Sequence, residues 1–209
     1  MNENIEKRNE LLAQKMIKGL ASRNMTGYWA KDKQEALRIA LSLIPEGSNV
    51  VMGGSTSVRD IGLDAALNEG NYTFTDRDML GDKRAAALAA YDADIYLSGT
   101  NAITEDGILV NIDGNANRVS AIAFGPEKVI IICGMNKVAC DLDAAMKRAR
   151  SVAAVTNAQR FGLSTPCSKT GACADCKSPD TICCQFLITR MSRHKDRIHV
   201  ILVGDSVGF

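Results

Sequence analysis

Five of the chain's seven cysteines, Cys167, Cys173, Cys176, Cys183 and Cys184, fall within 18 residues. They lie in a stretch rich in Gly, Ser, Thr, Lys and Asp, whereas structural cysteines sit on apolar faces, so packing alone is a poor explanation. Four thiolates around one ion suit Zn²⁺, and the same set suits a [4Fe-4S] iron–sulfur cluster. Cys167, Cys173, Cys176 and Cys183 form the candidate ligand set. The spacing matches neither a paired zinc ribbon nor a ferredoxin run, and a redox disulfide pair or inert thiols are the other readings. Cys184 is the expected bystander, because adjacent residues of an extended chain point to opposite faces.

A second chemistry is written in Gly53-Gly54-Ser55-Thr56-Ser57, which follows the apolar run Val50-Val51-Met52. A strand entering a Gly-Gly turn and then a hydroxyl-rich helix start offers backbone N–H groups and hydroxyl donors to an anion. Arg59 is placed to clamp a phosphate or carboxylate. The segment is neither a Walker A loop nor a GxGxxG fingerprint, and no nicotinamide cofactor is indicated. The plain alternative is a tight strand-to-helix turn with a serine cap.

Thr100, Asn101, Asn111, Asn115, Asn117 and Arg118 make a third, amide-rich group beginning just after the apolar run Ala93–Leu97. Open α/β sheets place ligands at such strand ends. Amides orient polar groups without transferring protons, which leaves Glu105, Asp106 and Asp113 as acid–base candidates. Asp106-Gly107 and Asp113-Gly114 also read as two hairpin turns. Asn136 and Lys137 follow the most apolar segment, Val129–Cys133, where a lysine supplies a fixed positive charge to a site. The two histidines, His194 and His199, read as exposed members of a basic stretch.

The elements that must position these groups alternate. A helix over about Glu3–Arg23 and a strand over Met25–Ala30 precede a helix opened by Asp32 with Glu35 in a capping box. Strands follow at Asn49–Met52, Tyr72–Phe74, Ala93–Leu97, Ser120–Phe124, Lys128–Cys133, Ile182–Thr189 and Ile198–Val203. An Ala-rich helix is expected over Met79–Ala90, and a long one begins after Asp141, with Val152 in its buried stripe. This order argues for an α/β fold with a mainly parallel sheet covered on both faces. We divide the chain into an N-terminal helical extension, residues 1–31, and a main domain, residues 32–209, carrying the Cys-rich loop at 162–184.

The 209 residues carry 25 Lys+Arg against 24 Asp+Glu, a net charge of +1, so no general field favours nucleic acid or an anionic membrane surface. The longest apolar run is far short of the ~20 residues of a membrane span. The charged start, with no apolar segment behind it, and the odd cysteine number point to a reducing cytoplasm.

Gly53–Ser57, the run Gly99-Thr100-Asn101-Ala102-Ile103-Thr104 with Asn111 to Arg118, and Gly134-Met135-Asn136-Lys137-Val138 together resemble the lactate-utilisation (LUD) domain family. The ending Thr165-Pro166-Cys167…Cys173…Asp175-Cys176…Ser178-Pro179-Asp180…Cys183 resembles a cysteine-bearing branch of it. The resemblance implies the three-layer αβα, Rossmann-like fold of ribose-5-phosphate isomerase, glucosamine-6-phosphate deaminase and CoA transferases. It also implies an anion at Gly53–Ser57, a ligand contact at Lys137, and a setting of L-lactate oxidation among other lactate-utilisation subunits. The acids of the isomerases are replaced here by Thr100-Asn101-Ala102, so their proton carrier is missing. The nucleophilic glutamate of CoA transferases has only a faint counterpart in Glu105. We therefore expect a small anionic metabolite at the glycine turn beside a cysteine-bound metal centre. The rivals are a non-catalytic assembly subunit with structural zinc and an acyl transferase using Glu105.

Overall fold

The structure, a computed structural model, describes residues 2–209. Helix α1 (Glu3–Ser22) leads to strand β1 (Thr26–Ala30), and α2 (Lys33–Ser42) to β2 (Asn49–Met52). Next come α3 (Thr56–Asp60), α4 (Leu63–Glu69), β3 (Thr73–Asp76), α5 (Lys83–Ala89) and β4 (Ile95–Gly99). The hairpin β5 (Ala102–Thr104) and β6 (Leu109–Asp113) is followed by α6 (Asn117–Ala123), β7 (Lys128–Gly134) and the short β8 (Val138–Ala139). Helix α7 (Leu142–Arg148) passes through a π-turn, Ala149–Ala153, into α8 (Ala154–Arg160). The chain closes with α9 (Pro166–Thr170), β9 (Gln185–Thr189) and β10 (Ile198–Val203).

Six strands form a parallel sheet in the order β1-β10-β7-β4-β2-β3. Strand β7 shows why it is buried on both sides. Val129, Ile131 and Cys133 join a core with α1 and α6, while Ile130 and Ile132 join a second core with α2, α3 and α4. Alternation along one strand therefore fills two layers. A four-stranded mixed sheet, β8-β5-β6-β9, carries a third, smaller core in which Ala102, Val110 and Ile112 meet Ala145 and Ala149. The N-terminal segment contributes β1 to the edge of the main sheet, and Ala13, Met16 and Leu20 of α1 are fully buried against it.

Asp32 caps α2 as its spacing predicts, accepting from Glu35 N at 2.8 Å, and Glu35 returns a bond to Lys31 N at 2.9 Å. Other expectations are corrected. Ser120–Phe124, expected as a strand, belongs to α6, whose first N–H groups are met by the Asp113 side chain through Arg118 N at 2.8 Å and Val119 N at 3.1 Å. Asp113-Gly114 is thus a helix entry, and only Asp106-Gly107 turns a hairpin, with Gly107 at φ 92°. The Ala-rich helix starts at Lys83, because Asp82 caps it by accepting from Arg84 N and Ala85 N, both at 3.0 Å. The last long strand before β10 starts at Gln185. The π-turn widens the helix by one residue, rotating Val152 out to solvent while Ala149 and Ala153 stay buried. His199 is buried on β10, not exposed: Tyr28 Oη lies 3.0 Å from its Nδ1.

Candidate functional site

The carboxyl ends of β2, β4 and β7 open on a polar cavity of about 80 Å³. Gly54, Ser55, Thr56 and Ser57 form one wall, Gly99, Thr100, Asn101 and Arg118 another, with Lys137 at the base and Asn157 and Arg160 of α8 across the top. A second polar cavity of about 120 Å³ shares Gly54, Asn101, Arg118, Asn157 and Arg160 with it and adds Gly53, Asp113, Asn115 and Asn117. The two are lobes of one cleft.

The glycines are explained by what stands next to them. A side chain at Gly53 would run into the Tyr96 hydroxyl, and Gly54 turns at φ 85° with the Asp78 carboxylate against it. Gly99 lets the Ser55 and Ser57 hydroxyls approach, since a Cβ there would lie 3.0 Å from Ser57 Oγ and 3.1 Å from Ser55 Oγ. Ser55 caps α3, accepting from Val58 N at 3.4 Å.

Lys137 is 3% exposed, and its Nζ donates to Ser57 Oγ at 2.7 Å. Burial pushes it down to about 8; Cys133 and Asp60 oppose that shift, while Arg148 and Arg118 add to it. Arg118 is held by four acceptors without a carboxylate among them: Asn111 Oδ1 at 2.6 Å, Asn101 Oδ1 at 3.0 Å, Ile112 O at 2.6 Å and Gly99 O at 3.4 Å. Arg148 lines neither lobe; it donates to the carbonyls of Asn101 and Asn136 and to Phe209 O at 3.5 Å. Among the described residues, no Asp or Glu side chain forms an ion pair with Lys137, Arg118 or Arg148. Asn111, fully buried behind Arg118, leaves its Nδ2 without a hydrogen bond.

Three expected site residues lie apart. Arg59 lines neither lobe and is neutralised by Asp76 at 2.6 Å, Asp78 at 3.4 Å and Asp64 at 3.9 Å. Asn136 faces the C-terminal segment, accepting from Val207 N and donating to Gly208 O, both at 3.3 Å. Glu105 pairs with Lys15 at 2.7 Å, away from both lobes, so the cleft has no glutamate placed as a nucleophile. Thr100 contributes its backbone side, because its hydroxyl is spent on Ala102 O and Val110 O at 2.9 and 3.0 Å. Sequence reasoning missed Asn157 and Arg160, which line both lobes. The spacing Ala153, Asn157, Arg160 repeats at i, i+4, i+7 and marks one helix face, a signal that could have found both.

The thiols gather as well. Cys167, Cys173, Cys176 and Cys183 line one cavity of about 90 Å³ with Ala154, Asp175, Ile182 and Phe186, and Cys184 is left outside it. Burial pushes the Cys183 thiol up to about 11, and Cys173, Cys167 and Cys176 push it the same way. No three His, Cys, Asp or Glu side chains among the described residues form a group that could hold a metal ion. Ala154 and Ile182 line both this cavity and the larger polar lobe, so the two sites share a wall.

The LUD domain family matches residues 13–203 of the chain. A DUF162 family protein from Deinococcus radiodurans has a similar structure, with a TM-score of 0.55 at 13% identity, covering 94% of this chain and 98% of that one. At that identity the likeness concerns the fold. eIF2B delta from Chaetomium thermophilum matches with a TM-score of 0.38 at 18% identity, over 67% of this chain and 57% of its own. No curated protein sequence matches. Among the described residues no helix is long and apolar enough to cross a membrane.

Proposed function

Because the chain belongs to the LUD domain family, we propose that it is a cytoplasmic protein of lactate or related 2-hydroxy-acid utilisation that binds a small carboxylate in the polar cleft. The observation carrying this reading is that Lys137 and Arg118 line one cavity and that, among the described residues, no acidic side chain pairs with either. A buried cation without a counter-charge, as Lys137 is at 3% exposure, is costly, and an anionic ligand would offset that cost. In this reading Lys137 supplies the charge at the base, Ser55, Thr56 and Ser57 donate hydrogen bonds, and Arg118 is a charge fixed by Asn101 and Asn111. Asn115 and Asn117, in the outer lobe, orient the polar end of a longer ligand.

We assign the four-thiol cavity to an iron–sulfur cluster in preference to zinc. Four cysteines could hold either group, and the preference rests on the redox setting that the family implies. A [4Fe-4S] cluster takes four cysteines around its own volume, and Cys167, Cys173, Cys176 and Cys183 line one cavity of about 90 Å³. When bound it would supply one-electron chemistry. The chain's own residues would hold it beside the carboxylate cleft, separated by Ala154 and Ile182.

The test combines two measurements on protein purified without oxygen. Iron and acid-labile sulfide should be found in the protein, with zinc absent. Lactate, pyruvate, CoA and inorganic phosphate should be titrated while the melting temperature is followed. A carboxylate present at 100 times its Kd stabilises by about 2.7 kcal/mol, and Ser55→Ala and Thr56→Ala should weaken that shift. No shift with any of the four probes overturns the anion site, and zinc without sulfide overturns the cluster.

A further inference from the structure

Lys137 differs from the other cations of the cleft in how little holds it. Arg118 has four acceptors, while the Lys137 ammonium, able to donate three hydrogen bonds, has one, to Ser57 Oγ at 2.7 Å. Gly208 closes over this pair at φ 58°, and a Cβ there would come within 2.9 Å of Nζ, so only glycine leaves the amine its space. Lys137 nevertheless lines the cavity together with Gly99, Asn101 and Arg118. A lysine kept dry and beside other cations is the recurrent arrangement for an amine that attacks carbonyl groups. The downward push of burial on Lys137 agrees with it.

We propose that Lys137 captures the ketone of a short 2-oxo acid as an imine, with the acid's carboxylate lying toward Arg118, which lines the same cavity. The proposal rests on the carboxylate-binding reading and names the substrate class of that same site. The carbonyl requirement comes from the amine, the carboxylate from the unpaired cations, and the short chain from the cavity of about 80 Å³. In the step, the neutral Nζ lone pair forms a bond to the carbonyl carbon, giving a carbinolamine. The carbon–oxygen bond then breaks, and the oxygen leaves as water with the two Nζ protons, leaving a C=N bond and no change in oxidation state. Ser57 Oγ passes a proton from Nζ toward the departing oxygen. The reverse step with water releases the acid.

The experiment treats the whole purified protein with pyruvate and cyanoborohydride and reads intact mass, followed by peptide mapping. The expected result is one reduced adduct on Lys137. Lactate, which lacks the ketone, should give none, and acetone, which lacks the carboxylate, should label at least about tenfold more slowly, as the loss of one charged contact implies. Lys137→Met and Lys137→Arg should both abolish labelling, with melting temperature reporting that each is folded. The wild-type peptide map locates the adduct even if neither variant folds. Absence of an adduct while pyruvate still raises the melting temperature overturns the lysine chemistry alone. Absence of both overturns it together with the carboxylate site. Labelling spread over surface lysines, or retained in Lys137→Arg, also overturns it.

Discussion

The polar cleft and the thiol cavity lie on either side of one helix, and they are built by different means. The cleft is made from strand ends: Gly53 and Gly54 follow β2, Gly99 ends β4, and Lys137 follows β7, each placed by the parallel ladder beneath it. Its charged groups are bonded to backbone and amide partners, as the four contacts of Arg118 show. The thiol cavity is made from a loop. Cys173 and Cys176 lie in a stretch outside any helix or strand, with Asp175 in the left-handed region at φ 51°. Its sulfurs touch the rest of the protein weakly, the Thr165 hydroxyl at 3.1 Å from Cys167 Sγ being an exception. The contrast teaches that the fold itself organises the cleft, whereas the thiol cavity is carried by a loop with few polar contacts to its sulfurs.

The largest effect expected from that contrast follows removal of the metal centre proposed for the thiol cavity. Chelation under reducing conditions should speed proteolytic cutting within 162–184 by more than about tenfold, because local opening there no longer breaks metal–sulfur bonds. Carboxylate binding in the cleft should change little. Limited proteolysis and the pyruvate titration, run on the same sample, check both halves. A loop equally resistant before and after chelation would break the comparison.

Much of the cleft was legible in the sequence because its signals are local. Gly53-Gly54 after Val50–Met52 and Lys137 after Val129–Cys133 sit where strands end, and strand ends are readable from apolar runs bounded by turn residues. The thiol set was legible from spacing, down to the exclusion of Cys184. What failed was either short or distant. The seven residues of α6 include the buried Val119, Ala121 and Ile122, too few positions to separate the helical period from the strand period. Arg59 and Arg118 look alike in the sequence. Their roles diverge through Asp76 and Asp78 around one and Asn101, Asn111 and Ile112 around the other, partners that only the folded chain supplies. Glu105 was drawn away by Lys15, ninety residues earlier.

A smaller effect sharpens the claim that the cleft is organised in advance at a cost to stability. Lys137 sits near 8, against 10.5 when unfolded, so between those values the unfolded chain binds the extra proton. Stability therefore rises with pH across that window, and the full penalty is present below about 8. Lys137→Met removes it, and we expect the variant to be more stable at pH 7 by about 1–3 kcal/mol, with the advantage shrinking toward pH 10. Denaturant melts at pH 7, 9 and 10 read this directly. A variant less stable than the parent at pH 7 would mean that Lys137 is already satisfied without a ligand.

The smallest effect belongs to the thiol side. Arg150 and Asp175 pair at the rim of that cavity, and the Asp175 side chain is 86% exposed. Arg150 also stands 4.0 Å from Cys173 Sγ, close enough to suggest that it shapes the thiols. An exposed ion pair holds two long or solvated groups against entropy and salt screening, and is worth at most about 0.5–1 kcal/mol. Asp175→Asn retains a residue that tolerates positive φ while removing the charge. The expected outcome is a change in stability of under about 0.5 kcal/mol and unaltered iron and sulfide content. Such a result would locate the organising force of the cavity in the metal–sulfur bonds and not in the polar contacts around them. Loss of the metal centre in Asp175→Asn would instead place the two cavities on the same footing, each built by its hydrogen bonds before anything binds.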